Sequence, residues 1–347
     1  MKIYPFVSII IPCRNEGEFI GKCLDSIIAQ NYPKERLEAF VVDGMSNDET
    51  RRIAENYIQK NSYIKLLDNP KKITPCALNI GIKNSKGELI IWMSSHNEYE
   101  KEYVSKCVKY LEKFNADAVG GIIETVPRNN TLIGKLVCTA TSHPFGVGKS
   151  IHKIGSKNPQ WADTAFSVCY KRKIFKKVGT FNENLVRGQD MEFSLRLKKA
   201  GLRTLLVPEI ASHYYPRSDF RSFMKHNIKN GVWAILPFKY TTTMPVSLRH
   251  LVPLAFTSSL IASLMLFFLI PIFIWLFFFI LGSYCLINLY FSLKIAIQKS
   301  NLGYLFLMPI MFLALHISYG LGSMWGLLNV IFSKRFWRNL RPILTGE

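Results

Sequence analysis

A chain of 347 residues has room for one large domain or two ordinary ones, and its hydrophobic share of 49% supports a substantial core. The 44 lysines and arginines against 24 acidic residues leave a formal charge of +20, which calls for an anionic partner: nucleic acid, acidic lipid or a phosphorylated substrate. Seven cysteines are scattered without the close pairs that zinc sites and dithiol motifs use, so they read as buried, reduced thiols.

The charge is unevenly spread. Residues 251–331 are nearly uncharged apart from Lys294 and Lys299, whereas the chain before Thr243 mixes charged and apolar residues as soluble domains do. Lysines and arginines flank the apolar stretch at Lys225, Lys229, Lys239, Arg249, Lys334, Arg335, Arg338 and Arg341. Membrane lipid therefore accounts for the basic excess more simply than nucleic acid, which is not expected as a partner. The amino-terminal apolar run, interrupted by Pro12, is too short for a signal peptide, so the first domain is expected in the cytosol.

In chain order, residues 6–11 are a continuous β-branched run, and residues 18–29 place Phe19, Ile20, Cys23, Leu24 and Ile27 at helical spacing. The pattern repeats with a strand at 39–42 and a helix at 49–60, then a strand at 64–67 and a helix at 75–84. A fourth strand follows at 88–93. Alternating strands and helices predict a doubly wound, mostly parallel α/β sheet, whose ligands bind beyond the carboxy ends of the strands. Polar clusters after strands one, two and four fall at that edge.

From Ala118 the spacing changes to shorter strands, an irregular stretch over 127–163, a helix at 191–200 and a strand at 203–207. Residues 218–236 place Phe220, Phe223, Met224, Ile228 and Ile235 on one helical face; such a helix suits a membrane interface or packing on the domain. Residues 251–293 are long enough for a hairpin of two spans of about 20 residues each, turning at Pro271. The third segment, 303–331, would be about 43 Å long as a straight helix, more than the hydrocarbon core of about 30 Å. Its basic flank predicts a segment that enters and returns, broken near His316, Tyr319, Gly320, Gly322 and Gly326; Gly322 and Gly326 also match a small-residue helix-packing motif. The expected boundaries are thus 1–217 for the first domain, 218–250 for an interfacial helix and linker, 251–333 for the membrane region and 334–347 for a basic tail.

The motifs follow. Ser8 to Cys13 leads into Arg14-Asn15-Glu16; Val41-Val42 into Asp43-Gly44-Met45-Ser46-Asn47-Asp48; Asn69-Pro70 into a helix carrying Asn79; and Met93 into Ser94-Ser95-His96-Asn97-Glu98-Tyr99. Further on stand Trp161-Ala162-Asp163, Gly188-Gln189-Asp190 and His213-Tyr214-Tyr215-Pro216-Arg217. Over roughly 7–217 this series resembles the family-2 inverting glycosyltransferases of GT-A fold, and within them a membrane-anchored, succinoglycan-type glucosyltransferase subgroup.

The resemblance implies that Pro12, Arg14, Asn15, Glu16, Asp43, Ser46 and Ser95 contact a nucleoside-diphosphate sugar. Asp43 would read the base, since a carboxylate at a strand end accepts a base N–H; a turn-forming aspartate is the alternative. Asp163, Gln189 and Arg217 would face acceptor or phosphate, with Asp163 otherwise a capping residue, and Asn79 either faces the donor or is structural. Asp190 would be the base that removes the acceptor hydroxyl proton, or else a helix cap.

Where the family usually has Asp-x-Asp to hold Mg²⁺ or Mn²⁺, this chain has Ser94-Ser95-His96, so a divalent cation would depend on His96, with His213. The expected activity is inverting transfer to a hydroxyl of a lipid-linked glycan, in exopolysaccharide or related synthesis, by a multi-pass cell-membrane protein whose catalytic domain is cytosolic. The rival readings are a polyprenyl-phosphate sugar synthase and a weakly catalytic sugar-nucleotide-binding scaffold.

Overall fold

The computed structural model describes residues 4–216, 218–240, 247–334 and 336, and the chain divides into two compact units. The first comprises Met1–Glu124 and Ile151–Tyr215; the second comprises Thr125–Ser150 and Pro216–Glu347.

The first unit is built on a nine-stranded mixed sheet. Its strands are β1 (Val7–Cys13), β2 (Leu37–Asp43), β3 (Ile64–Asp68), β4 (Leu89–Trp92), β5 (Asn97–Tyr99), β6 (Ala118–Thr125), β7 (Gln160–Trp161), β8 (Phe166–Lys171) and β9 (Thr204–Tyr214). The order is β3-β2-β1-β4-β8-β6-β9-β5, with β7 added against β9. β3, β2, β1 and β4 are parallel, joined by α1 (Ile20–Ile28), α2 (Thr50–Lys60) and α3 (Thr74–Asn84), as the alternation in sequence predicts. β8 then pairs antiparallel with both β4 and β6.

Both faces of the parallel half are covered, which explains why β1 and β2 are apolar at consecutive positions. Ile9, Ile11 and Val41 face α1 and α4 (Tyr103–Lys113), while Ile10, Phe40 and Val42 face α3. Gly81 of α3 lets that helix approach β1: a β-carbon there would lie 2.4 Å from an Ile10 methyl.

The second unit is helical. The stretch expected to be irregular over 127–163 instead holds α5 (Leu132–Ser142), α6 (Pro144–Val147) and, back in the first unit, α7 (Ile151–Ile154). Thr131 caps α5 by accepting from the Gly134 N–H. The first unit also holds α8 (Lys173–Val178) and α9 (Gln189–Lys199); the second continues with α10 (Phe220–Ile235), α11 (Val252–Phe267), α12 (Phe273–Gln298) and α13 (Gly303–Ile331).

α11, extended back to Leu248, with α12 and α13, gives three helices long and apolar enough to cross a membrane. The hairpin turns at Pro271 as expected. α13 departs from expectation: it is one unbroken helix through Pro309, and its glycines serve close packing. A β-carbon on Gly322 would lie 2.1 Å from Ile228 O of α10, and one on Gly231 of α10 would lie 2.0 Å from Tyr319 O. That approach also rotates α10 from its expected face: Phe223, Asn227, Gly231, Ala234 and Ile235 are buried, and Phe220 and Ile228 are exposed.

Candidate active site

The carboxy ends of β1, β2 and β4 carry three loops that interlock. Parallel register sets Cys13 beside Asp43, and Gly44 N–H donates to Cys13 O. From there, side chains of the second loop bind backbone of the first. Asn15 N–H donates to Ser46 Oγ at 2.9 Å, Glu16 N–H to Thr50 Oγ1 at 2.7 Å and Gly17 N–H to Asp48 at 3.0 Å. Asn15 Oδ1 accepts in return from Asn47 N–H. Asn15 and Met45 both adopt left-handed backbone (φ +54° and +57°), at a conformational cost that Asn15 bears more easily than Met45.

Asp43 is fully buried and accepts from Ser46 N–H and Oγ, with the Arg51 guanidinium 3.6 Å away. It therefore shapes the turn that presents Ser46. Arg14 and Asn15 are exposed beyond it, and Pro12 is half-buried at the end of β1.

The loop after β4 closes on the first. Glu16 Oε1 stands 3.4 Å from His96 Nδ1, Ser94 Oγ is 3.3 Å from the same ring, and Tyr214 packs on it at 5.4 Å. Ser95 is buried. His213 belongs elsewhere: it faces Glu124 at 3.4 Å, so the expected pairing of His96 with His213 is not formed. Among the described residues, no three His, Cys, Asp or Glu side chains gather. Tyr215 stacks on Phe19 at 5.8 Å and lies under the Lys22 ammonium. Neither contact was foreseen, because the partners are nearly 200 residues apart.

α9 is anchored from below. Phe193 is fully buried against Phe181, Tyr170 and Phe175 at 4.5–5.5 Å, and Arg196 ties Glu192 to the carbonyls of Val178 and Thr180. Asp190 is thereby fixed in the first turn of α9. Desolvation raises the pKa of its carboxyl, against the opposing pull of the Asp190 and Met191 N–H groups and the positive Lys153. Beside it, Gln189 is buried, and its carbonyl oxygen has no hydrogen-bond donor among the described residues.

Asp163 is exposed and paired with Lys198 at 2.7 Å. Asn79 is structural: it donates to Phe181 O and Glu183 and accepts from Phe181 N–H. Arg217 lies outside the described residues. A cavity of about 720 Å³ opens at the opposite edge of the sheet, lined by Pro5, Glu88, Leu89, Lys171 and Arg172 among others, and holds none of the motif residues.

Comparison with known proteins agrees with this architecture. Residues 8–179 match the family described as Glycosyl transferase family 2. A Methanococcus voltae protein named dolichyl N-acetyl-alpha-D-glucosaminyl phosphate 3-beta-D-2,3-diacetamido-2,3-dideoxy-beta-D-glucuronosyltransferase is 32% identical over 234 residues, covering 65% of this chain and 72% of that one. Succinoglycan biosynthesis protein ExoA of Rhizobium meliloti is 27% identical over 246 residues, covering 66% and 73%. In fold, the chain is similar to the mannosyltransferase PcManGT of Pyrobaculum calidifontis, solved with GDP-Man and Mn²⁺, at TM-score 0.58 and 18% identity over 93% of this chain and 88% of that one. The GT-A-like sheet, the enzyme class and the family expected from the motifs are thus borne out, and the chain belongs to glycosyl transferase family 2 as a glycosyltransferase with a helical, membrane-type carboxy-terminal region.

Proposed function

We propose that the enzyme moves a sugar, with inversion, from a nucleoside-diphosphate sugar to a hydroxyl of a lipid-linked glycan at the cytosolic face of the membrane. The observation that carries this reading is Asp190, a desolvated carboxylate with raised pKa, held in the first turn of an anchored helix. Inverting transfer requires one base at the acceptor oxygen and no covalent intermediate. Gln189, whose buried carbonyl oxygen has no donor among the described residues, would accept from the acceptor sugar and hold it in line. The lipid-linked acceptor is supported by the Methanococcus voltae relative, whose name specifies a dolichyl phosphate sugar, and by the three apolar helices.

On the donor side, Arg14, Asn15 and Ser46 form the exposed rim of the first two loops, while Asp43 sets the turn geometry. A divalent cation would neutralise charge on the departing diphosphate. A carboxylate and an imidazole 3.4 Å apart, completed by phosphate oxygens and water, are a fitting donor set for Mn²⁺, so Glu16 and His96 would hold it and Ser94 would orient the ring.

The test is transfer by the purified full chain in lipid, with a panel of UDP-, GDP- and dTDP-sugars offered against polyprenyl-linked saccharides and against polyprenyl phosphate. Product on the saccharide hydroxyl is expected. Product on the bare lipid phosphate alone, or donor hydrolysis without transfer, overturns the assignment.

A further inference from the structure

We propose that Thr125–Ser150, an excursion from the catalytic sheet between β6 and β8, is a membrane-docking element whose helix α5 lies against anionic lipid at the bilayer surface. The inference rests on α11 to α13 crossing the membrane and is independent of donor and acceptor identity.

α5 is bound to those helices at a defined level. Its Leu136, Val137 and Ala140 join one buried cluster with Ile295 near the end of α12 and Tyr304 and Met308 near the start of α13. Leu132 reaches Gly303 itself, within 3.9 Å of where a β-carbon would stand. The turn between two crossing helices sits where hydrocarbon gives way to headgroups, so a helix packed on both sides of that turn lies at the same depth. The segment is fixed further along as well. Phe145 packs on Phe291 and Phe312 at 5.0 and 4.9 Å, its carbonyl lies 3.0 Å from His316 Nε2, and Arg249 Nη1 donates to Lys149 O.

The outward face of α5 is apolar at its first turn. Leu132 and Ile133 remain 40% and 44% exposed although eight of the helix's eleven residues are partly or fully buried. Unlike an isolated exposed leucine, this pair continues the lipid-facing surface of α12 and α13.

Charge selects the kind of surface. Thr125–Ser150 contains Arg128, Lys135 and Lys149 and no acidic residue, and the whole second unit has fifteen lysines and arginines against two acidic residues. Lys135 is exposed next to the apolar pair, and Lys294 and Lys299 are exposed at the end of α12. An apolar strip bordered by cations is matched by a leaflet rich in acidic headgroups.

A spin label placed by Ile133→Cys in a Cys285→Ser background, which removes the exposed thiol and leaves the six buried ones, tests this in vesicles. Accessibility to oxygen and to a water-soluble nickel chelate is compared with labels at Lys60, on exposed α2, and at Phe278, on the exposed face of α12. The expected result is an oxygen-to-nickel ratio at 133 several-fold above that at 60. Replacing neutral phosphatidylcholine in part by phosphatidylglycerol should raise the ratio, and the increase should vanish in Lys135→Gln with Lys299→Gln. A ratio at 133 equal to that at 60 overturns the proposal, and so does shielding from both reagents, which would mean a protein covers α5. Insensitivity to phosphatidylglycerol overturns the anionic assignment. A water-like label at 278 would instead refute membrane insertion itself.

Discussion

Asp190→Asn separates chemistry from binding. Asparagine is nearly isosteric and still accepts from the Met191 and Asp190 N–H groups that open α9, so Phe193 and Arg196 should hold the helix unchanged. What disappears is the base. Positioned general bases contribute about 100- to 10,000-fold, equivalent to about 2.7–5.5 kcal/mol of barrier, so kcat for transfer to a saccharide hydroxyl should fall by that factor while donor affinity, read by calorimetry, stays within about twofold.

Stability provides an independent sign. Because folding raises the pKa of Asp190, its ionised form is disfavoured in the folded protein above that pKa, and the asparagine variant should melt no lower than the parent at neutral pH. The same shift predicts that the acid limb of kcat/KM lies above the ordinary aspartate value of about 3.9, with activity lost as pH falls through it, and that the variant's residual rate lacks this limb. A kcat within about threefold of the parent, or a loss of donor binding and melting temperature in step with the rate, refutes the assignment of Asp190 as base.

Glu16→Gln and His96→Ala should each weaken Mn²⁺ binding in the presence of a nucleoside diphosphate by about tenfold or more; calorimetric titrations unchanged from the parent would refute the cation site. Gly231→Val should destabilise the second unit by about 1–3 kcal/mol or more through overpacking against Tyr319 O, whereas Gly282→Ala, with open space around it, should leave the melting curve in detergent unchanged. Lys71, Asn79 and Cys76 hold Glu183 down to about 2, below its ordinary 4.5. The contribution is therefore present above pH 4.5 and is lost as pH falls toward 2, and denaturant melts between pH 6 and 3 should show a shallower acid decline in Glu183→Gln.

The parallel half of the sheet was legible because its signals are local. β1 and β2 are runs of β-branched residues, α1 carries Ile20, Cys23, Leu24 and Ile27 at helical spacing, and the polar loops necessarily fall at the strand ends. The helix that carries Asp190 was legible too: expected over 191–200, it spans Gln189–Lys199 and is preceded by the left-handed Gly188 (φ +74°).

What was missed depends on partners far away in sequence. The buried side of α5 is Gly134, Leu136, Val137, Cys138 and Ala140, a mix of small and apolar residues that acquires meaning when Ile295 and Met308 stand opposite. The packing of α10 on α13 was not foreseen because a glycine adds nothing to an apolar stripe, yet Gly231 is a point of close approach to α13. Gly320, Gly322 and Gly326 of α13 were read as a break, with Gly322 and Gly326 alternatively a packing motif; each removes a side chain where another backbone passes, as the packing alternative has it. His96, just before β5, and His213, on the β9 strand that pairs with it, do not share a site, because their side chains are drawn to Glu16 and Glu124, 80 and 89 positions away.

The loss of the usual acidic pair has a structural consequence beyond the change of ligand. A motif of two carboxylates on one loop would carry its own charge, independent of the loop after β1. With Ser94 and Ser95 in that place, the carboxylate nearest His96 comes from Glu16, whose N–H is held by Thr50 and whose neighbour Asn15 is held by Ser46 and Asn47. In the proposed reading, the turn that meets the base and the pair that meets the diphosphate therefore share one hydrogen-bonded scaffold. Donor recognition and cation binding should consequently be coupled here: a nucleotide seated against Ser46 and Asn15 stiffens the backbone that aims Glu16 at His96.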